Sequence, residues 1–391
     1  MRKNTPIVIF YICIFICACS KCENDNQNVV QRERKDNSNA KEGIIKIGSI
    51  QQLTGDMAKY GKTHVAAVRA QIEIINEQRK AKKLPLLKLL IEDDQLQPRK
   101  GLLLLKKLID MDNIQVVLGA QGSSVTMAMA PVSNEKKVVQ ISGGSTAPQV
   151  SQAGEFVFRT CPSDIYEGKM MARYYKSHYN KGSLAVLYIN NDYGVGLRDA
   201  FLGEVGDRRD DALILAYNQG VKDFRTQLTR IKNSKIDIVY LVGYEDMVSV
   251  FKQAKELALK VQWLGNGQLS DESLVAKIGD TANGTIFPGH EFDSEKIKKL
   301  HPDFYNRFLR LSGELDLDVF AAYGADAIVL INHVMIQGAK SGTQIRDALL
   351  KIQNYPVITG NITFDDNGDA ERTLNMYTIQ DGKMLPMESS K

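Results

Sequence analysis

The chain has 391 residues, 43% hydrophobic and 25% charged, an ordinary balance for a soluble protein and enough length for two domains. Its formal net charge is +4, and Arg2 and Lys3 supply half of it. Nothing in that balance marks a basic patch, so no nucleic-acid partner is expected.

The chain opens with MRKNTPIVIFYICIFICACSKC. After the basic start, the apolar run from Ile7 to Ala18 is too short for a membrane span, which needs about 20 apolar residues, but it suits the core of an export signal. The stretch Ile16-Cys17-Ala18-Cys19-Ser20 resembles a bacterial lipobox, in which a small residue precedes a cysteine that becomes lipidated. Cys19 is the preferred acceptor, because Lys21 precedes Cys22 and bulky Ile16 precedes Cys17. A cleaved, unlipidated signal and an uncleaved anchor are the alternatives. Residues 1–18 are therefore expected to leave as a lipoprotein signal peptide. Residues 19–43 are almost entirely polar, cannot build a core, and read as a tether spanning roughly 25 Å. Cys13 and Cys17 leave with the signal, so only Cys22 and Cys161 remain besides the lipidated position, and the body is expected to hold no internal disulfide.

From Ile44 onward, short apolar runs alternate with helical spacing. Runs 44–50, 86–92, 114–119 and 137–142 read as buried parallel strands, separated by helices over 61–79, 98–111 and 124–135. After a short FVFRT (156–160) the pattern restarts, with strands at 183–189, 213–217, 236–242 and 261–265 and helices near 164–179, 193–206, 223–233 and 244–259. Two such βαβ runs, each over 100 residues, predict an α/β protein with two doubly wound parallel-sheet lobes. A third portion from about Gly284 carries helices near 302–312, 319–338 and 343–352, and segments 362–369 and 374–383 read as a terminal hairpin region.

Catalytic chemistry finds little support. Gly55 to Thr63 imitates a phosphate loop, but five residues separate its glycines where four are needed, and Asp56 would repel phosphate. The five histidines lack H-x₃-H and H-E-x-x-H spacing, so no metal site is expected. No G-x-S-x-G elbow occurs, and Asp93-Asp94 and Asp365-Asp366 read as strand-end and turn acids. Neither an enzyme nor a cofactor is expected.

Small polar segments at predicted strand ends are more informative. Gly119-Ala-Gln-Gly-Ser123-Ser124 and Ser142-Gly143-Gly144-Ser145-Thr146 each follow a strand. Ligands of parallel sheets bind beyond such ends, and hydroxyls with free backbone N–H groups at a helix start suit a carboxylate. Ser124 and Thr146 as plain helix caps or turn residues is the alternative.

Taken in order, IGSIQQLTGDMAKYG (47–61), IEDDQLQPRKG (91–101), VVLGAQGSS (116–124), ISGGSTAP (141–148), FVFRTCPSD (156–164), VLYINNDYGVGL (186–197) and YLVGYEDM (240–247) resemble the branched-chain amino-acid-binding family, type I periplasmic solute-binding proteins of ABC transporters. The resemblance runs from about Ile44 to Lys383. It implies three hinge crossings, with lobe one at 44–161 plus 290–356 and lobe two at 162–289 plus 357–391. It also implies a monomer that traps an amino acid or related small carboxylate and delivers it to an ABC permease, from a lipid anchor facing the periplasm or cell exterior. A ligand sensor of the same fold, signalling to a partner protein, is the alternative.

By the same resemblance, Ser123 binds the ligand carboxylate, Gly144 and Thr146 contact its carboxylate and amine, Tyr60 lines the side-chain pocket, and Tyr193 and Tyr244 close over it. Ser124, Ser145 and Gln268 complete the expected site. Two departures stand out. The acid that pairs with the ligand ammonium is missing from Trp263-Leu-Gly-Asn266-Gly267-Gln268, leaving Asp164, Asp271 or Glu245 as substitutes, or a ligand that is no plain α-amino acid. Leu96 and Gly122 occupy the places of the family's lobe-one disulfide.

Overall fold

The computed structural model describes residues 43–55, 57–179 and 181–387. The export signal, Cys19 and most of the tether lie outside them.

The first five strands form one parallel sheet: β1 (Ile44–Gln51), β2 (Leu86–Asp93), β3 (Val116–Gly119), β4 (Val139–Ser142) and β5 (Val157–Arg159), in the order β2-β1-β3-β4-β5. β3 and β4 are buried at every position, which explains their unbroken apolar character. Ile47, Val116 and Leu118 face one core, while Ile50 and Val117 face another. The connecting helices α1 (Ala58–Ala81), α2 (Pro98–Asp112) and α3 (Ser123–Lys136) supply the two covers: Val68 and Ile72 pack in the first core, Leu105, Val125 and Met129 in the second.

The second sheet has seven strands. β6 (Leu184–Ile189), β7 (Leu213–Tyr217), β8 (Ile238–Val242), β9 (Gln262–Leu264) and β10 (Ile286–His290) run parallel, interleaved with α4 (Asp164–His178), α5 (Asp192–Val205), α6 (Arg225–Asn233), α7 (Met247–Glu256) and α8 (Glu272–Ile278). After β10 the chain returns to lobe one through α9 (Ser294–Leu300), α10 (Pro302–Ser312), α11 (Val319–Ile336) and α12 (Gly342–Leu349). Helix α11 is apolar and long enough to cross a membrane by length and composition, but 72% of it is buried in the protein. Its inward face packs on α1, as Ala321, Ala322 and Ala325 meet Ala66, Ala67 and Ala70. These small side chains let the two helices approach closely.

The end of the chain differs from the expected hairpin. β11 (Tyr355–Val357) pairs with β12 (Gly360–Ile362), and β13 (Leu374–Gln380) pairs with β14 (Lys383–Pro386). Residues 362–369 and 374–383 are therefore not partners. Val357, Ile362, Phe364 and Ala370 pack in the first lobe's core, whereas β13 adds antiparallel to β10 in the second sheet. Apolar burial carries lobe one past residue 356, and the third crossing falls between Ala370 and Leu374.

Buried ion pairs tie the crossings together. Arg159 binds Asp369 at 2.6 Å, and Arg372 binds Asp326 at 2.7 Å while donating to the Thr160 carbonyl at 3.0 Å. Removing one partner of such a pair would strand a buried charge, so these contacts hold the crossing segments together.

The candidate ligand cleft

Both parallel sheets point the carboxyl ends of their strands at the space between the lobes, where parallel sheets place ligands. A cavity lies there, lined by residues of both lobes.

Lobe one contributes a rigid floor. Helix α1 begins inside the stretch that imitates a phosphate loop, so Tyr60 and Gly61 lie in its first turns. Gly61 is needed for close packing: a Cβ there would stand 2.0 Å from the Gln52 carbonyl oxygen. The loops after β3 and β4 are braced by hydroxyls. Ser142 Oγ donates to the Ala120 carbonyl at 2.5 Å and accepts from the Ser145 N–H at 2.8 Å, and Thr126 Oγ1 accepts from the Ala120 N–H at 3.0 Å. Ser123 opens α3 and accepts from the Ala147 N–H at 3.3 Å, which joins the two loops.

Lobe two contributes rings. Tyr193 enters at the start of α5, where Asn191 caps the helix by accepting from the Gly194 N–H at 3.0 Å. Its ring stacks on Tyr244 with centroids 5.0 Å apart and planes 16° from parallel, and its hydroxyl accepts from Asn266 Nδ2 at 2.6 Å. Burial, reinforced by Glu167 and Asp164, raises the Tyr193 phenol well above its ordinary range, so it stays neutral.

Of the nine residues expected to bind ligand, Tyr60, Ser123, Gly144, Thr146, Tyr193, Tyr244 and Gln268 line the cavity. The other two do not. Ser145 is fully buried, with its hydroxyl donated to the Ala120 carbonyl at 2.9 Å. Ser124 instead accepts from the Asp192 N–H at 3.2 Å, a contact that crosses between the lobes. The structure adds Gln52, Met57, Leu96, Gln121, Gly122 and Phe320 to the lining. Leu96 covers Gly122, where the resemblance sets a disulfide: its Cδ1 lies 2.3 Å from the place of a Cβ on that glycine. The cysteine of the described residues, Cys161, is buried and free.

The lobes touch at the mouth of the cleft. Lys59 of α1 pairs with Asp271 at 2.8 Å and also donates to Ser273, while Tyr60 Oη donates to Asp271 at 2.7 Å. Burial alone would raise the Asp271 carboxyl, but Lys59 and the hydrogen bonds hold it below its usual range. Burial, aided by Asp271, raises the Tyr60 phenol.

None of the thirteen lining residues is charged. The three acids considered as ammonium partners are placed as follows. Asp271 is held by Lys59 and Tyr60, Glu245 accepts from Lys277 at 3.2 Å, and Asp164 lies behind Thr146, whose hydroxyl donates to it at 2.9 Å. Among the described residues, no group of three or more His, Cys, Asp or Glu side chains is placed to hold a metal ion. His64 and His290 are buried, and desolvation lowers each to about 4, so both are neutral packing groups near pH 7.

Two parallel-sheet lobes, three crossings and a cleft at the strand ends define a two-lobed ligand receptor. The family described as periplasmic binding protein matches residues 44–383, and the chain belongs to it. Among its relatives, the Leu/Ile/Val-binding protein BraC3 of Rhizobium johnstonii is 28% identical over 359 residues, covering 88% of this chain and 94% of that protein. The fold resembles that of a leucine-binding protein, LivK, from Thermotoga maritima, with a TM-score of 0.76, 22% identity, and coverage of 88% of this chain and 97% of the other. It also resembles a solute-binding protein from R. palustris in complex with benzoate, with a TM-score of 0.75, 19% identity, and coverage of 88% and 96%.

Proposed function

We propose that the chain is the extracytoplasmic solute-binding lipoprotein of an ABC importer, that it closes over an amino acid of branched-chain type or a related small carboxylate, and that it delivers this ligand to the permease. The observation that carries the reading is the cleft wall made by Ser123, Gly144 and Thr146, faced by Tyr193 and Tyr244. A ligand carboxylate meets the Ser123 hydroxyl and the first N–H groups of α3, which have no carbonyl acceptor within their own helix. Met57, Leu96 and Phe320 offer apolar surface for an aliphatic side chain. Tyr60 stands beside them. Closing the lobes is a hinge motion about the three crossings, and the closed form is what a permease recognises. The Leu/Ile/Val-binding relative supports the ligand class.

Thermal unfolding of the purified body against free amino acids and simple carboxylates tests this. A ligand at a hundredfold excess over its dissociation constant stabilises the bound form by about 2.7 kcal/mol. No stabilisation by any member of the panel, after co-purified ligand is stripped, contradicts the reading. The anchor is tested separately. Cys19→Ser should move the protein from the detergent phase to the aqueous phase, and a variant that stays in detergent refutes lipidation at Cys19.

A further inference from the structure

One buried feature plays no part in holding a carboxylate. Asp164 and Glu167 lie one turn apart on α4, 1% and 5% exposed. The cation that bears on Asp164 is Arg159, and that guanidinium is already committed to Asp369 at 2.6 Å and to the carbonyls of Thr146 and Ala147 at 2.9 Å. Desolvation raises both carboxyls, Asp164 to about 7 and Glu167 well above its ordinary value, with Asp164 adding to the effect on Glu167. Two buried acids without a committed cation are unfavourable unless a positive charge arrives.

Each acid approaches the cavity through one intervening group. Thr146 lines the cavity and donates its hydroxyl to Asp164 Oδ2 at 2.9 Å, which leaves the lone pairs of Oγ1 for the ligand. Glu167 Oε1 accepts the Gly267 N–H at 2.9 Å, and its Oε2 lies 2.6 Å from where a Cβ on Gly267 would stand. The Glu167 carboxylate thus fills the side-chain space of the residue next to Gln268. His290 Nε2 lies 3.5 Å from the same point, but burial keeps that ring neutral, and the neighbouring Tyr193 and Tyr240 phenols are neutral too. Independently, Gln52 Oε1 and Gln121 Oε1 are buried acceptors without a donor, on cavity-lining residues more than nine-tenths buried. The cleft therefore offers unpartnered acceptors in its lining and two buried carboxyls behind it, and suits a ligand group rich in N–H donors.

We propose that Asp164 and Glu167 together are the counter-charge for a ligand ammonium seated against the Gly144 carbonyl and Thr146 Oγ1, and that they select amino acids over carboxylates of the same shape. This rests on the cleft being an amino-acid or carboxylate site. Asp164 acts through Thr146 and Glu167 through its place beside Gly267, so both are positioning residues. The missing acid after β9 is replaced from another helix, and the ligand class narrows to those that carry an ammonium.

Calorimetric titration with leucine, isoleucine and valine, each paired with the same acid lacking its amino group (4-methylpentanoate, 3-methylpentanoate and 3-methylbutanoate), provides the test. The wild-type protein should prefer an amino acid over its amine-free partner, and Glu167→Gln, alone or with Asp164→Asn, should weaken the amino acid by about tenfold or more. The amine-free acid should bind the variants at least as well as it binds wild type, which a merely structural role would not produce. Equal wild-type affinity for both members of a pair, or equal losses of both in the variants, overturns the inference while leaving a carboxylate receptor standing. Binding of neither member in wild type overturns the reading of the cleft and this inference with it.

Discussion

The two walls of the cleft are built differently. Lobe one presents small groups on a stiff frame: Ser123, Gly144 and Thr146, held by the hydroxyls of Thr126, Ser142 and Ser145, with no ionisable carboxyl in the lining. Lobe two presents the Tyr193–Tyr244 stack, backed by Asp164 and Glu167. The frame of lobe one depends on contacts within lobe one, whereas Asp164 is engaged by Thr146 only across the interface. In the function proposed above, lobe one receives the ligand carboxylate first, and lobe two adds its rings and the carboxyls behind them as it closes.

The largest effect should come from lobe one. Replacing Ser123 and Thr146 together with Ala should weaken ligand binding by about 3 kcal/mol or more, because hydrogen bonds to charged groups contribute about 1.5–3 kcal/mol each. Unchanged affinity by calorimetry would reject lobe one as the carboxylate wall.

A second effect separates the walls by pH. Burial raises the Asp164 carboxyl to about 7, above its ordinary 3.8. A raised acid pKa contributes stability below the unfolded value, and that contribution is lost as pH rises through the folded one. Between pH 5 and pH 8 the ligand-free wild type should therefore lose stability relative to Asp164→Asn. Urea unfolding at the two pH values checks this, and a pH-independent difference would contradict it.

Smaller effects lie at the rim. Tyr244→Ala removes the partner of a stacked pair and should weaken binding by about 1 kcal/mol, read as faster ligand release in stopped flow. A release rate equal to wild type would remove Tyr244 from the closing wall. Lys59→Ala breaks a partly exposed inter-lobe ion pair, 20% and 9% exposed, and should weaken binding by less than about 1 kcal/mol. That loss should shrink as salt screens the pair in wild type. A loss that grows with salt would show that Lys59 acts otherwise.

Much of this arrangement is legible in the sequence, because its signals are local. Alternating apolar runs mark the parallel strands, and polar segments directly after them mark Ser123, Thr146 and Tyr193. Ser124 and Ser145 carry the same signal yet do not line the cavity, since the direction of a hydroxyl depends on which neighbour it braces. Phe320 is missed because an aromatic residue in an apolar helix reads as core, and only the packing of α11 on α1 brings it to the cleft. Gln52 had a usable signal, a polar residue immediately after a buried strand. Glu167 had none: an acid in the first turn of a helix normally reads as a solvated, dipole-favoured position. The pairing of β13 with β14 is missed because a four-residue strand of mixed polarity carries no periodicity.

The most direct test of the central claim is a crystal structure grown with whichever amino acid most raises the unfolding temperature. The account predicts the ligand carboxylate within hydrogen-bond distance of Ser123 Oγ, its ammonium against the Gly144 carbonyl and Thr146 Oγ1, and Tyr193 and Tyr244 closed over it. A carboxylate seated on the Thr146–Asp164 side, or ligand bound outside the cleft, would contradict it.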